Sequence, residues 1–185
     1  MNRHEFIATG HDCLLLVIDF QAAMLKVMPD WEDAARTVNQ LTGAAEALDI
    51  PILITEQYTK GLGPTIPEVL DGISSPVVFH KAHFSACLEP GFISKVKAYA
   101  RQQIVVAGME THVCVLQTCL DLIKTGFQVH LVADAVASRK VRNRDIAIDL
   151  MRAAGAVITS TEIVIFQWAR RADTDAFRRI LPIVR

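Results

Sequence analysis

Cys13-Leu14-Leu15-Leu16-Val17-Ile18 is an unbroken apolar run with no alternation, the pattern of a β-strand covered on both faces. Residues 31–48 follow with helical spacing (Ala34, Ala35, Val38, Leu41, Ala45, Leu48), entered through Pro29-Asp30 as a cap signal. Further strands are predicted at 51–55, 77–80, 104–107 and 129–133, with a brief sixth at Val157-Ile158. Between them, 91–100, 112–124 and 143–154 carry helical patterns, the last two closed by Gly126 and Gly155. Ser160 and Thr161-Glu162 open another helix, and 174–180 reads as a short one before Pro182. Regular strand–helix alternation predicts an α/β fold: a three-layer, doubly wound sheet of about six parallel strands with helices on both faces. The long irregular segment is 57–76, rich in Gly and Pro.

At 185 residues the chain suits one domain over 1–185 with a sizeable core. Apolar residues at 51% exclude dominant disorder. Lys+Arg at 19 against Asp+Glu at 20 gives a net charge of -1, with no drive toward nucleic acid or an anionic membrane. The apolar runs are strand-length, far short of a membrane span. Residues 1–10 show no signal-peptide pattern, so the expected compartment is the reducing cytoplasm, where Cys13, Cys87, Cys114 and Cys119 stay free. No CxxC pair is present, which argues against a structural zinc site of the usual spacing. Gly61-Leu62-Gly63 is only a fragment of a dinucleotide fingerprint and does not open a helix after the first strand, so no cofactor is expected. Arg170, Arg171, Arg178, Arg179 and Arg185 alternate with Asp173 and Asp175, a pattern of a solvated or subunit-contacting face.

In open α/β sheets ligands bind beyond the carboxyl ends of the strands. The residues there are Asp19-Phe20-Gln21, Glu56-Gln57-Tyr58, Lys81 through Ser85, Gly108 through Cys114, and Asp134 with Ser138-Arg139. A carboxylate (Asp19), an ammonium (Lys81) and a thiol (Cys114) stand out among them. With Thr111 as N-cap, Cys114 lies in a first helical turn, where free N–H groups and the helix dipole favour a thiolate; Lys81 lowers the thiol pKa further. Asp19 takes the proton and later returns it. Each residue alone has a plainer reading: a cap or ion-pair carboxylate, a solvated lysine, a small core cysteine.

Gly108-Met109-Glu110-Thr111-His112-Val113-Cys114-Val115, with Asp19-Phe20-Gln21 upstream and Lys81 between, resembles the isochorismatase-like cysteine hydrolase superfamily. That superfamily contains nicotinamidases, N-carbamoylsarcosine amidases and true isochorismatases. The segment Thr55-Glu56-Gln57-Tyr58-Thr59-Lys60-Gly61-Leu62-Gly63-Pro64-Thr65 resembles its isochorismatase domain-containing subgroup. The resemblance implies a Rossmann-like sheet of order 3-2-1-4-5-6 and a triad of Asp19, Lys81 and Cys114. It also implies a cis Met109–Glu110 peptide and an oxyanion hole from the N–H groups of Glu110 and Cys114. Lys81 must then lean across the end of the second strand to reach Asp19.

The nicotinamidase metal pair, Asp-x-His, has no counterpart here; the matching loop reads Glu56-Gln57-Tyr58, and His80, His83 and His112 are scattered, so no metal is assigned. True isochorismatases often lack the cysteine, because vinyl-ether hydrolysis needs an acid rather than a thiol. The expected activity is thus hydrolysis of a small amide or related acyl substrate through a Cys114 thioester. Vinyl-ether hydrolysis with Asp19 as acid and a catalytically silent binding or scaffolding protein are the alternatives. Phe20, Gln57, Tyr58, Phe84 and His112 are candidate pocket walls, with Gln57 and His112 as substrate hydrogen-bonders. The expected partner is a small-molecule substrate; the resemblance implies a homo-oligomer.

Overall fold

The structure, a computed structural model, describes residues 3–29 and 31–184. Six parallel strands form one sheet in the order β3-β2-β1-β4-β5-β6, as the resemblance implies. They are β1 (Cys13–Ile18), β2 (Ile52–Gln57), β3 (Val78–Lys81), β4 (Gln103–Met109), β5 (Gln128–Ala137) and β6 (Val157–Thr159). The helices are α1 (Ala22–Leu25), α2 (Trp31–Ala47), α3 (Thr59–Leu62), α4 (Pro67–Leu70), α5 (Phe92–Ala98), α6 (Leu116–Lys124), α7 (Val141–Ala153), α8 (Thr161–Ala169) and α9 (Asp175–Ile180). Asp30, half of the expected α2 cap signal, and Arg185 lie outside the described residues.

β1 is central and every residue of it is buried, which is why its sequence shows no polar alternation. Cys13, Leu15 and Val17 face a core shared with α2, α8 and α9. Leu14, Leu16 and Ile18 face a second core, shared with α5, α6 and α7. α2 buries one apolar stripe, Ala34, Ala35, Val38, Leu41 and Ala45, as its spacing predicts. Ser160 caps α8 by accepting the Ile163 N–H, and Thr174 caps α9 by accepting the Phe177 N–H.

Three elements depart from the sequence reading. β2 runs on to Gln57, so Glu56 and Gln57 lie within the strand. β5 continues to Ala137 past the exposed Asp134, where the β4–β5 register shifts. Asp134 therefore lies inside β5, and its carboxylate accepts the Thr161 N–H and hydroxyl at 2.9 and 3.1 Å, fixing the start of α8. The irregular segment after β2 holds the short helices α3 and α4 and is tied back by Glu56, whose Oε1 accepts the Thr65 N–H (2.7 Å) and hydroxyl (2.8 Å).

Gly108 lies beside Ile18 at the sheet's carboxyl end with φ +132, and a Cβ there would stand 2.1 Å from the Ile18 carbonyl oxygen. A side chain would force β1 and β4 apart just where the site begins. Gly108→Ala is expected to cost more than about 3 kcal/mol in urea denaturation. An unchanged midpoint would contradict this packing.

Candidate active site

Asp19 is the first residue beyond β1, turned into the left-handed region (φ 51), which Asp tolerates better than most residues. Its N–H donates to the Thr55 carbonyl at 3.1 Å, and its Oδ1 accepts the Thr55 hydroxyl at 2.7 Å. Lys81 closes β3 and reaches over the end of β2, so that its Nζ donates to Asp19 Oδ2 at 2.6 Å and to Gln57 Oε1 at 2.5 Å. The carbonyls of His83 and Phe84 stand at 3.3 and 3.4 Å from the same nitrogen. Asp19 and Lys81 are 3% and 4% exposed, so their attraction is little screened by water.

Gln57 is locked in turn. Its Nε2 donates to the Ala82 carbonyl at 2.6 Å, and its N–H donates to Gln21 Oε1 at 2.8 Å. Gln21 Nε2 returns a bond to the Gln57 carbonyl at 3.0 Å. Gln57 thus spends both ends of its amide on the protein and orients Lys81, which corrects the expectation that it hydrogen-bonds substrate.

Cys114 stands in the Thr111–Val115 turn between β4 and α6. That turn is wound wider than an α-helix: both Val113 and Val115 N–H groups donate to the Glu110 carbonyl, at 3.0 and 3.3 Å. The Met109–Glu110 peptide is cis. Thr111 is not the N-cap expected from sequence; its hydroxyl donates to the Ala137 carbonyl at 3.0 Å. Its neighbours do likewise: His112 Nδ1 meets Ser138 Oγ at 3.0 Å, and Glu110 Oε2 accepts the Arg139 N–H and Nε–H, both at 3.0 Å. Residues 110–112 are clamped side chain by side chain to residues 137–139 after β5.

Burial reverses the expected thiol chemistry. Desolvation pushes the Cys114 thiol up to about 12, the charge of Asp19 adds to the rise, and Lys81 only partly offsets it. That direction favours a thiol at Cys114 over the resting thiolate expected from a first helical turn. The first-turn dipole and one lysine, itself paired with Asp19, do not compensate for lost water. Burial likewise raises the thiols of Cys13 and Cys87 to about 12, and raises that of Cys119; Cys13 and Cys119 are buried and Cys87 is half-buried. All four cysteines are free.

A cavity of about 100 Å³ opens on Cys114, lined by Asp19, Met24, Gln57, Leu62, Phe84, Met109, Glu110 and Val113. Larger hollows exist, such as one of about 430 Å³ along Thr9, Gln103 and Gln128, but that one lies at the amino ends of the strands. Of the expected walls, Phe84 and Gln57 line the cavity. Phe20 does not: its side chain is fully buried in the core under α2. Tyr58 is 61% exposed, its ring lying on Gly61 of its own loop. His112 opens instead on a separate hollow with Arg139, Lys140 and Asn143, because the wide turn sends it away from Cys114. Met24, Leu62, Met109 and Val113 were not singled out as walls from sequence. Val113 carried a helix-core signal, whereas Met24 and Leu62 arrive through loop folding and had none. Among the described residues no three His, Cys, Asp or Glu side chains gather to hold a metal; His80 faces Glu56 and His83 faces Glu89.

Residues 13–163 match the family model described as the isochorismatase domain. The chain belongs to the isochorismatase family. The secreted isochorismatase effector Isc1 of Phytophthora sojae is 35% identical over 184 residues, covering 95% of this chain and 85% of that one. Among solved structures, MAR1 ribonuclease from Caenorhabditis elegans is 34% identical with a TM-score of 0.89, covering 95% and 91% of the two chains. The YcaC gene product of Escherichia coli, described as an octameric hydrolase of unknown specificity, is 27% identical with a TM-score of 0.86, covering 94% and 90%. Isochorismatase-family membership supports a hydrolase. Among the described residues no helix is long and apolar enough to cross a membrane.

Proposed function

We propose that this isochorismatase-family chain hydrolyses a small amide or related acyl substrate through a thioester on Cys114. The observation that carries the reading is that Cys114 and Asp19 share one small cavity, with the buried Lys81 bonded to Asp19. Asp19 takes the thiol proton as sulfur attacks the carbonyl carbon, forming the C–S bond. The Lys81 ammonium, bonded to Asp19 Oδ2, holds that side chain oriented. The developing oxyanion is received by the N–H groups of Glu110 and Cys114. The C–N bond breaks as the amine leaves with the proton from Asp19; water then cleaves the thioester and restores the thiol.

Vinyl-ether hydrolysis of an isochorismate-like dicarboxylate is the weaker reading, because its two carboxylates would meet no cation among the residues lining this cavity of about 100 Å³. The same size supports a small-molecule substrate over a nucleotide. We also propose a homo-oligomer, on the analogy of the octameric relative, and a reducing cytoplasmic setting, on the four free cysteines.

Asp19→Asn tests the reading with two readouts of opposite sign. Turnover is expected to fall by at least about a hundredfold, since the proton acceptor is gone. Alkylation of Cys114 by iodoacetamide near pH 9 is expected to quicken, because the charge that raises the thiol pKa is removed. A variant that retains turnover would contradict Asp19 as the base.

A further inference from the structure

The lining of the Cys114 cavity restricts what can enter it. Its walls away from the triad are apolar: Met24, Leu62, Phe84, Met109 and Val113. Every polar side chain that reaches it is already engaged by the protein. Lys81 Nζ is held by Asp19, Gln57 and two carbonyls. Gln57 gives its Nε2 to Ala82, and the Glu110 carboxylate accepts from Arg139. The nearby cationic side chains that could greet an anion, Arg139 and Lys140, open on the neighbouring hollow of about 230 Å³ with His112, not on this cavity. Among the described residues that line the cavity there is no cation to meet a substrate carboxylate, and the Asp19 carboxyl group already stands there.

Resting on the thioester reading above, we propose that the site is selective for short, uncharged aliphatic acyl groups, carried as primary amides of acetamide to propionamide size. About 100 Å³ equals the space of about three waters, room for about three to five heavy atoms. A carboxylate at the far end of the acyl chain would lose its hydration and gain no counter-charge. A long alkyl chain would have to displace Leu62 or trail past the exposed Phe84 into water, where the rest of its length gains no burial. A hydroxyl or ring nitrogen would likewise find no unspent donor or acceptor on the apolar walls.

The test uses the unmodified chain and acyl transfer to hydroxylamine, read as hydroxamate, with propionamide, octanamide and succinamate. The expected result is kcat/KM for propionamide at least tenfold above the other two. Octanamide or succinamate within threefold of propionamide would overturn the selectivity while leaving the thioester mechanism standing. Beside it, Cys114 is alkylated with iodoacetamide and with the isosteric iodoacetate, each rate divided by that of free 2-mercaptoethanol. The neutral reagent is expected to be favoured more than tenfold. If no amide acylates Cys114, the thioester reading fails, and this ratio decides the selectivity alone: above ten supports an uncharged ligand, near one overturns it.

Discussion

Cys114→Ala is expected to lose amide turnover by at least about ten-thousandfold while keeping the fold. The side chain is 6% exposed, and the Ala methyl fills most of its space in the core shared by α5, α6 and α7, so the stability cost is about 1 kcal/mol. Removing a nucleophile leaves Asp19, Lys81 and the turn donors in place, yet none of them can form the acyl intermediate. Cys114→Ser separates chemistry from shape further, since its hydroxyl is a much weaker acid than the thiol and Asp19 would have to accept its proton. The ether reading makes the opposite prediction, because an acid at Asp19 acts without sulfur. Steady-state kinetics of purified variants with matched circular dichroism distinguish the two, and retained turnover in Cys114→Ala would favour the ether route.

Lys81→Met is expected to destabilise the fold by about 3–5 kcal/mol, measured by urea denaturation at neutral pH. Met nearly matches the stem, so little volume is lost. What is lost is the one cation within 4 Å of the Asp19 carboxylate among the described residues; the Asp19 side chain is 4% exposed and that of Lys81 0%. Gln57 Oε1 also loses its donor. Adding Asp19→Asn to Lys81→Met removes the orphaned charge, so the double variant is expected to be more stable than Lys81→Met alone. The same substitution removes a group that lowers the Cys114 pKa, so alkylation of that thiol slows. A loss below about 1 kcal/mol would show that the pair is not buried as described.

The fold was legible because β1 announces itself. Six consecutive buried residues leave no room for alternation, and α2 carries one apolar stripe. Charges and long hydrogen bonds hid the rest. Asp134 broke the apolar run of β5 and hid its last residues, although it serves to start α8. Asp19, Lys81 and Cys114 were each readable at a strand end, and the reach of Lys81 over Gln57 follows from strand order. Thiol acidity was not readable: a first helical turn argues for a thiolate, and only packing shows that burial wins. Wall residues fared worst, because periodicity cannot say that Tyr58 faces water while Leu62, four residues on, lines the cavity.

The account rests on sulfur becoming acylated during turnover. Mixing the protein with propionamide, quenching in acid and mapping peptides by mass spectrometry measures this directly. The account predicts a propionyl adduct, a gain of about 56 Da, confined to the peptide carrying Cys114 and absent from those of Cys13, Cys87 and Cys119. Product formation with no adduct on any cysteine, undiminished in Cys114→Ala, would contradict it.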